Sequence, residues 1–449
     1  MLFDYDLLIV GAGSGGLAAA LRAASHGARV AIAEQGSPGG ACVNYGCIPE
    51  KLLDYAASFP RLAQTATSYG WQESDRRFDW AWFVRAEEQH IHQLNQVHGQ
   101  HLKDAGVQLF AGTARFVDAH TVTVADRLLT ATKILIATGA KPDRPDLPGI
   151  EQSITWHQLY HSPQQPRRLI IVGADPIGVK IAGSMNALGT QVTQVIAAPR
   201  ILPELDGEIA EAIQARLVQR GVKVLPDTQV TQIEARADQL WLTLAGQDRE
   251  PLVGDTVLMD ARRVPNLAAL NLSSLGIQLS DRGAIPVDEW SRTTQPAIFA
   301  IGDCTDRMPL TPSAIAQGRA FADSEFGSQS HRADLQWVPI SLSSHPEAAT
   351  VGLSEAQARA KLGDRVGCYR SQFRPLLYCL TGAEEKTFVK LVVDRQDSER
   401  ILGVHMVGDG AVEIIQSLAL ALRLGATKQD LDRAIGIHPS SGEEIFALK

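Results

Sequence analysis

The sequence predicts an α/β protein with two similar nucleotide-binding-type halves and an α+β C-terminal region, and three features carry that prediction. A short apolar run enters a glycine-rich turn near the N-terminus, a similar unit recurs from Leu169, and alternating strand signals take over from about Asp334. The 449 residues correspond to about three domains at the usual ~150 residues each. With 45% hydrophobic and 20% charged residues, and 38 Gly and 22 Pro, the chain is neither disordered nor collagen-like, and it can bury a sizeable core. A net charge of −8 without a long basic run argues against nucleic acid as a partner. No apolar stretch approaches the ~20 residues that span a bilayer, so no membrane partner is expected. The start, Met1-Leu-Phe-Asp4-Tyr-Asp6, is acidic where a signal or transit peptide would be basic. Five cysteines are too few for a secreted disulfide scaffold. A cytoplasmic location is the expectation.

Leu7–Val10 reads as a buried parallel strand, because a strand covered on both faces needs a continuous apolar run. The turn Gly11-Ala-Gly13-Ser14-Gly15-Gly16 follows, then a helix over Leu17–Ala24 and a strand over Arg29–Ala33 ending at Glu34. The glycines permit a tight turn and close backbone approach, so that a pyrophosphate can rest on the helix N-terminus. Glu34 lies 23 positions after Gly11, close to the ~20 expected of a ribose-binding carboxylate. The complete strand–turn–helix–strand–acid unit favours a Rossmann-like dinucleotide fold over an ordinary glycine turn. Ile134–Ala137 predicts a further strand running into Thr138-Gly139, and Pro142, Pro145 and Pro148 mark a linker. Leu169–Val172 with Gly173 opens the second unit, and Ile298–Ile301 leads into Gly302-Asp303. Thr387–Val393 and Ile401–Val407 predict strands, and Val412–Leu424 a helix.

Cys42 and Cys47 sit in Gly39-Gly40-Ala41-Cys42-Val-Asn-Tyr-Gly46-Cys47-Ile-Pro49-Glu50-Lys51. A zinc site would need two further ligands at suitable spacing, and Cys304, Cys368 and Cys379 are scattered. Pro49 suits the first turn of a helix, which places a helix N-terminus near Cys47 and favours its thiolate. This context, just after the first acidic strand of a dinucleotide fold, favours a redox-active pair over two structural cysteines. His90, His92, His98 and His101 suggest a metal site at first sight. His90 and His101 share a helical face but stand three turns, ~16 Å, apart, so a solvated face is expected and no metal.

The run 39–51 resembles the active-site segment of the FAD-dependent pyridine-nucleotide disulfide oxidoreductases, closest to their glutathione reductase branch. Ala137-Thr138-Gly139, Phe299-Ala-Ile-Gly302-Asp303 and Thr311-Pro312-Ser-Ala314 through Arg319 are similar to the family's further flavin segments. Phe373-Arg374-Pro375-Leu376 through Leu391 is similar to its interface domain, and His438-Pro439-Ser-Ser-Gly-Glu443-Glu444 to its terminal signature. Dihydrolipoamide dehydrogenase is a lesser match, because Val43-Asn44 and the tail fit glutathione reductase better. The resemblance implies two Rossmann-like dinucleotide-binding domains, FAD-binding (1–141) and NAD(P)-like (142–264). A central segment (265–333) would complete the first, and a C-terminal α+β dimerisation domain (334–449) would follow. It implies FAD contacts at Gly11, Gly13, Ser14, Gly15, Gly16, Glu34, Gly40, Ala41, Cys42, Glu50, Thr138, Gly139, Lys180, Gly302, Asp303, Thr311 and Ala314. Cys47 would be the thiol in charge-transfer contact with the flavin and Cys42 the interchange thiol that attacks a disulfide substrate. His438 of the partner subunit, oriented by Glu443, would protonate the leaving thiolate, which makes the enzyme a homodimer. Candidate substrate residues are Arg319, which matches a glutathione-contacting arginine, Arg22, adjacent to the position of a second, and His98, at the position of a substrate-touching tyrosine.

The second nucleotide turn departs from the family. Where glutathione reductases read Gly-x-Gly-Tyr-Ile-Ala-x-Glu, this chain has Gly173-Ala-Asp175-Pro176-Ile177-Gly178-Val-Lys180. A carboxylate replaces the glycine over which backbone approaches pyrophosphate. The positions of the family's two NADP-phosphate arginines align with Ala197 and Pro203, and the usual Gly-Arg-Val-Pro-Asn reads Arg262-Arg263-Val264-Pro265-Asn266. No acid follows the second strand at the NAD ribose position. These changes argue against NAD(P)H as a cofactor. The family's lysine at Glu50 and glutamate at Lys180 are exchanged here, as expected if a paired contact beside the flavin persists.

Three readings follow. The first is a FAD disulfide oxidoreductase acting on a small-molecule or protein disulfide, with a reduced protein carrier or another small donor in place of NAD(P)H. The second is a conventional NADPH-dependent reductase with a remodelled pocket, using Arg200 or Arg262 for phosphate. The third is a non-enzymatic flavoprotein redox sensor, against which the complete Cys42, Cys47, His438 and Glu443 set argues.

Overall fold

The computed structural model describes residues 3–72, 75–246, 249–260, 262–328 and 330–449. Met1 and Leu2, part of the acidic start, lie outside the described residues. The chain forms two compact units, one of 1–50, 82–144 and 261–335, the other of 51–81, 145–260 and 336–449.

The first unit is built on a sheet whose parallel strands run in the order Gln108–Ala111, Val30–Glu34, Tyr5–Val10, Arg127–Ile136 and Ile298–Ala300. The apolar run at its centre is continuous because both faces are covered. Leu8 and Val10 pack with Ile134, Ile136, Ile298 and Ala300, while Leu7 and Ile9 pack with Ile32, Leu135, Phe299 and Phe321 on the other side. Helix Ser14–Ser25 starts three residues earlier than its apolar pattern, since the glycines of the turn themselves enter it. It lies against helix Thr311–Phe326, and Gly15 and Gly318 make the contact possible. A Cβ on Gly318 would overlap the Gly15 carbonyl, and one on Gly15 would stand 3.1 Å from the Ala314 carbonyl.

The second unit holds a parallel sheet in the order Lys223–Leu225, Gln191–Val195, Arg168–Val172 and Thr256–Met259, with helix Pro176–Ala187 crossing between its strands. Beside it lies an antiparallel sheet of Val230–Arg236, Gln239–Leu244 and Leu252–Gly254. The C-terminal sheet is antiparallel, in the order Ile340–Ser344, Glu347–Gly352, Arg400–Val407, Thr387–Asp394 and Val366–Phe373. Val389, Leu391 and Val393 alternate onto one face, where Ile415, Leu418 and Leu422 of helix Ala411–Arg423 cover them. On the opposite face Lys390 is 2% exposed and its ammonium reaches Asp206 and Glu355, both at 2.9 Å, and Glu208. The terminal helix begins at Glu443, five residues after His438, so the histidine sits in the turn before it.

Among the described residues, no helix is long and apolar enough to cross a membrane. None of their His, Cys, Asp and Glu side chains form a group placed to hold a metal ion.

Candidate active site

The glycine turn of the first unit is held open by its own backbone. Gly11 has φ +108°, and a Cβ there would overlap the Ala137 carbonyl; one on Gly16 would overlap the carbonyl of Gly11. Glu34, at the carboxyl end of its strand, accepts the Ala12 N–H at 2.7 Å and the Gly36 N–H at 2.8 Å. Its carboxylate is thereby fixed beside the turn from which the helix beginning at Ser14 rises.

The cysteine segment lies directly on this turn. The Gly39 N–H donates to the Ala12 carbonyl at 2.8 Å, and Gly40 has φ +62° with its Cβ position 2.6 Å from the Gly13 Cα. Only glycine at 40 allows the two backbones to approach so closely. Cys42 and Ala41 belong to the short helix Gly40–Asn44, and Cys47 opens helix Cys47–Thr67 with Glu50 in its first turn. Asn44 donates to the Gly40 carbonyl at 2.9 Å and accepts from Asn95 at 2.8 Å, which also donates to the Pro38 carbonyl at 3.1 Å. The helix Trp80–Asp104 thus braces the cysteine segment through one amide. Asn95 gave no sequence signal, since a single amide on a polar helix looks like any solvated residue.

Cys42 and Cys47 share a hydrogen bond, and this, ahead of burial, raises the Cys42 thiol above its ordinary range; Thr311 and Ser14 pull in the other direction. Cys47 Sγ lies 3.5 Å from Thr311 Oγ1. Cys42 is half-buried and Cys47 exposed. Cys47 stands at the start of helix Cys47–Thr67, an end that favours an anion.

The remaining expected flavin residues of this unit line the same strand ends. Thr138 and Gly139 follow strand Arg127–Ile136, and the Gly139 carbonyl accepts from Asn266 at 2.9 Å. The Gly302 N–H donates to Gln317 Oε1 at 3.0 Å, and Gln317 Nε2 and Ser313 Oγ are buried without a hydrogen-bond partner among the described residues. Burial raises the Asp303 carboxyl, countered by Arg263, whose guanidinium stands 3.3 Å away. Together the two glycine contacts, the fixed Glu34 carboxylate and the orphaned polar atoms form a cradle that fits a large polar dinucleotide such as FAD.

In the second unit His438 Nδ1 lies 3.0 and 3.1 Å from the two Glu443 oxygens, and Glu443 also accepts the Ser440 N–H at 3.2 Å. The imidazole is 82% exposed, so its Nε2 faces outward. Lys180 lies in the second turn of helix Pro176–Ala187, in a different unit from Glu50. The second nucleotide turn has the predicted geometry around altered residues. Gly173 has φ +142°, Asp175 is the exposed N-cap residue of the helix, and Pro176 occupies its first turn. Arg200 is half-buried, and its Nε lacks a hydrogen-bond partner among the described residues. Asp260, which sequence reasoning passed over, accepts the Asp175 N–H at 3.0 Å. Its signal was an acid placed directly after strand Thr256–Met259.

Of the candidate substrate residues, Arg319 is exposed on helix Thr311–Phe326 and His98 is half-buried, its basicity lowered by burial and by His101. Arg22 is committed to Asp323, which also takes His26 at 2.6 Å, so its guanidinium braces two helices.

Residues 5–318 match the family model described as pyridine nucleotide-disulphide oxidoreductase, and residues 338–448 match that family's dimerisation domain. The chain belongs to this family. It is 46% identical over 460 aligned positions to the glutathione reductase of Nostoc sp., covering 100% of both chains. It is 39% identical over 447 positions to the glutathione reductase of Burkholderia cepacia, covering 100% of this chain and 99% of that one. The chloroplastic/mitochondrial glutathione reductase of Pisum sativum is 34% identical over 459 positions, with 100% and 82% covered. The protein is a flavoprotein disulfide oxidoreductase of the glutathione reductase type, with the α/β fold and dimerisation domain that the sequence predicted.

Proposed function

We propose that this chain is a homodimeric, FAD-dependent reductase of glutathione-like disulfides that draws its electrons from a donor other than free NADPH or NADH. The observation that carries the donor half is Asp175 at the N-cap of helix Pro176–Ala187, a carboxylate on the helix end where a dinucleotide pyrophosphate would seat. In place of a nicotinamide, a reduced protein carrier or another small reductant would serve. The division into 1–141, 142–264, 265–333 and 334–449 is part of the same proposal.

The thiol chemistry follows from the residues themselves. FAD, when bound, supplies a two-electron store that keeps the Cys42–Cys47 pair reduced. His438 of the partner subunit takes the proton that Cys42 holds, since the bond to Cys47 and then burial make that thiol a weak acid. Cys42 Sγ then attacks one sulfur of the substrate disulfide, a mixed disulfide forms, and the departing thiolate takes the proton back from His438. Glu443 holds the imidazole in register and stabilises its protonated form. Cys47 Sγ, as a thiolate, next attacks Cys42 Sγ, closing the Cys42–Cys47 disulfide; the mixed-disulfide bond breaks, and the second product leaves as a thiolate that takes its proton from solvent. One substrate disulfide gains two electrons and two protons, and the cysteine pair is left oxidised.

The dimer is supported by the family's dimerisation domain and by exposed apolar side chains in the same unit. Phe59, Leu376 and Leu380 are about two-thirds exposed, Ile437 is 81% exposed and Ile435 97%. A monomer rarely leaves so much apolar surface in water.

The conventional NADPH-dependent reading has its own observations, the 46% identity to the Nostoc sp. glutathione reductase over the whole of both chains and the Arg200 Nε that lacks a hydrogen-bond partner among the described residues. Steady-state turnover of glutathione disulfide separates the two. With reduced methyl viologen as donor the holoenzyme should consume the disulfide, and with NADPH alone it should not. Turnover with NADPH at a comparable rate would install the conventional reading.

A further inference from the structure

Asp260 follows strand Thr256–Met259, which runs parallel to Arg168–Val172, so both strands end at the same crevice, beside the N-terminus of helix Pro176–Ala187. Its backbone continues the pairing, donating to the Val172 carbonyl at 3.0 Å. The residue is 8% exposed, and its carboxylate is turned onto the turn itself. Oδ2 accepts the Asp175 N–H at 3.0 Å, one of the donors that a helix start leaves without an intrahelical partner. Both remaining glycines of the turn lie directly under this carboxylate. A Cβ on Gly173 would stand 2.6 Å from Asp260 Cβ, and one on Gly178 would overlap Oδ2. In a dinucleotide fold those two glycines make the turn tight and let the helix pack close to the sheet, while the backbone N–H groups at the helix start meet the diphosphate. Here the N–H at the second position of the turn is taken by a carboxylate packed against both glycines, and the occupant carries the same sign of charge as a diphosphate.

We propose that Asp260 is an internal anion that occupies the diphosphate position of the second dinucleotide fold and closes it to NADP(H) and NAD(H). This deepens the donor reading above and rests on it. Asp260 satisfies the helix start as a bound phosphate would, so the turn keeps its shape with no dinucleotide present. Asp175, exposed one residue before the helix, adds a second negative charge at the entrance.

The test is equilibrium binding of NADP⁺ and NAD⁺ to the FAD-loaded protein by calorimetry, for the wild type, Asp260→Ala and Asp260→Asn. The oxidised nucleotides report binding without reducing the flavin. The wild type should show no saturable binding in the micromolar range. Asp260→Ala should bind NADP⁺ at least roughly tenfold more tightly than the wild type, the factor that about 1.4 kcal/mol carries. Asp260→Asn keeps the shape without the charge and should show a smaller gain, and it carries the test should the alanine variant lose its flavin. If both variants hold FAD and melt like the wild type yet bind no better, Asp260 does not close the fold, while the donor reading stands. Micromolar binding by the wild type would overturn both.

Discussion

His438 Nδ1 and the Glu443 carboxylate are hydrogen-bonded at 3.0 Å within the turn that precedes the last helix, which fixes the ring and leaves its other nitrogen outward. A proton donor positioned in this way contributes ~10²–10⁴-fold to rate. His438→Gln should therefore lower disulfide turnover by that order while leaving bound FAD unchanged. Glu443→Gln should produce a smaller loss, because the ring remains present but is less well oriented and its protonated form less stabilised. Equal activity in all three proteins, measured with a chemical reductant as donor, would remove His438 from the mechanism.

The two cysteines should separate spectroscopically. Cys42→Ser leaves a Cys47 thiolate and should retain long-wavelength thiolate–flavin absorbance while losing turnover. Cys47→Ser should lose that absorbance. If both variants show the same spectrum and the same rate, the assignment of roles is wrong.

Gly40→Ala tests the close backbone approach beneath the cysteine segment. The added methyl would stand 2.6 Å from the Gly13 Cα in a conformation with φ +62° that L-residues rarely adopt. A strained residue of this kind costs ~1–3 kcal/mol, and here the strain falls on the flavin cradle. The purified variant should carry less FAD per chain than the wild type. Full flavin occupancy with unchanged melting would show that the turn relaxes freely.

Much of this was legible before the structure because each feature depends on local rules. A continuous apolar run, glycines at positive φ and an acid at the next strand end identify a dinucleotide turn from a few adjacent residues. Cys42 and Cys47 acquire meaning from the same neighbourhood. Asp260 and Asn95 did not stand out, because their partners Asp175 and Asn44 lie 85 and 51 positions away and only the fold brings them together. Lys390 was hidden for a related reason. Within Thr387–Asp394 it reads as the solvent-facing member of an alternating strand, but Asp206, Glu208 and Glu355 bury and neutralise it.

That lysine yields a stability prediction. Removing one partner of a buried ion network leaves charge uncompensated, at a cost of ~3–5 kcal/mol. Lys390→Met should melt at a clearly lower temperature than the wild type at neutral pH. Burial raises the Glu355 carboxyl, but hydrogen bonds from Lys390 and Arg359 outweigh it and hold the group down at about 2. Its contribution is fully present above the unfolded value of ~4.3 and is lost as pH falls toward about 2. The gap between variant and wild type should narrow over that interval. A gap constant from neutral pH down to pH ~2.5 would mean that Glu355 is not part of the clamp.

The central claim is that an intact disulfide site is joined to a second nucleotide fold that does not accept a nicotinamide, and anaerobic titration of the FAD-loaded dimer tests it most directly. Flavin and long-wavelength absorbance are followed while NADPH, then NADH, is added in micromolar steps, with dithionite as the final reductant. The account predicts an unchanged oxidised spectrum through both nucleotides and full reduction by dithionite. Reduction complete near one equivalent of NADPH, with a thiolate–flavin band appearing, would contradict it.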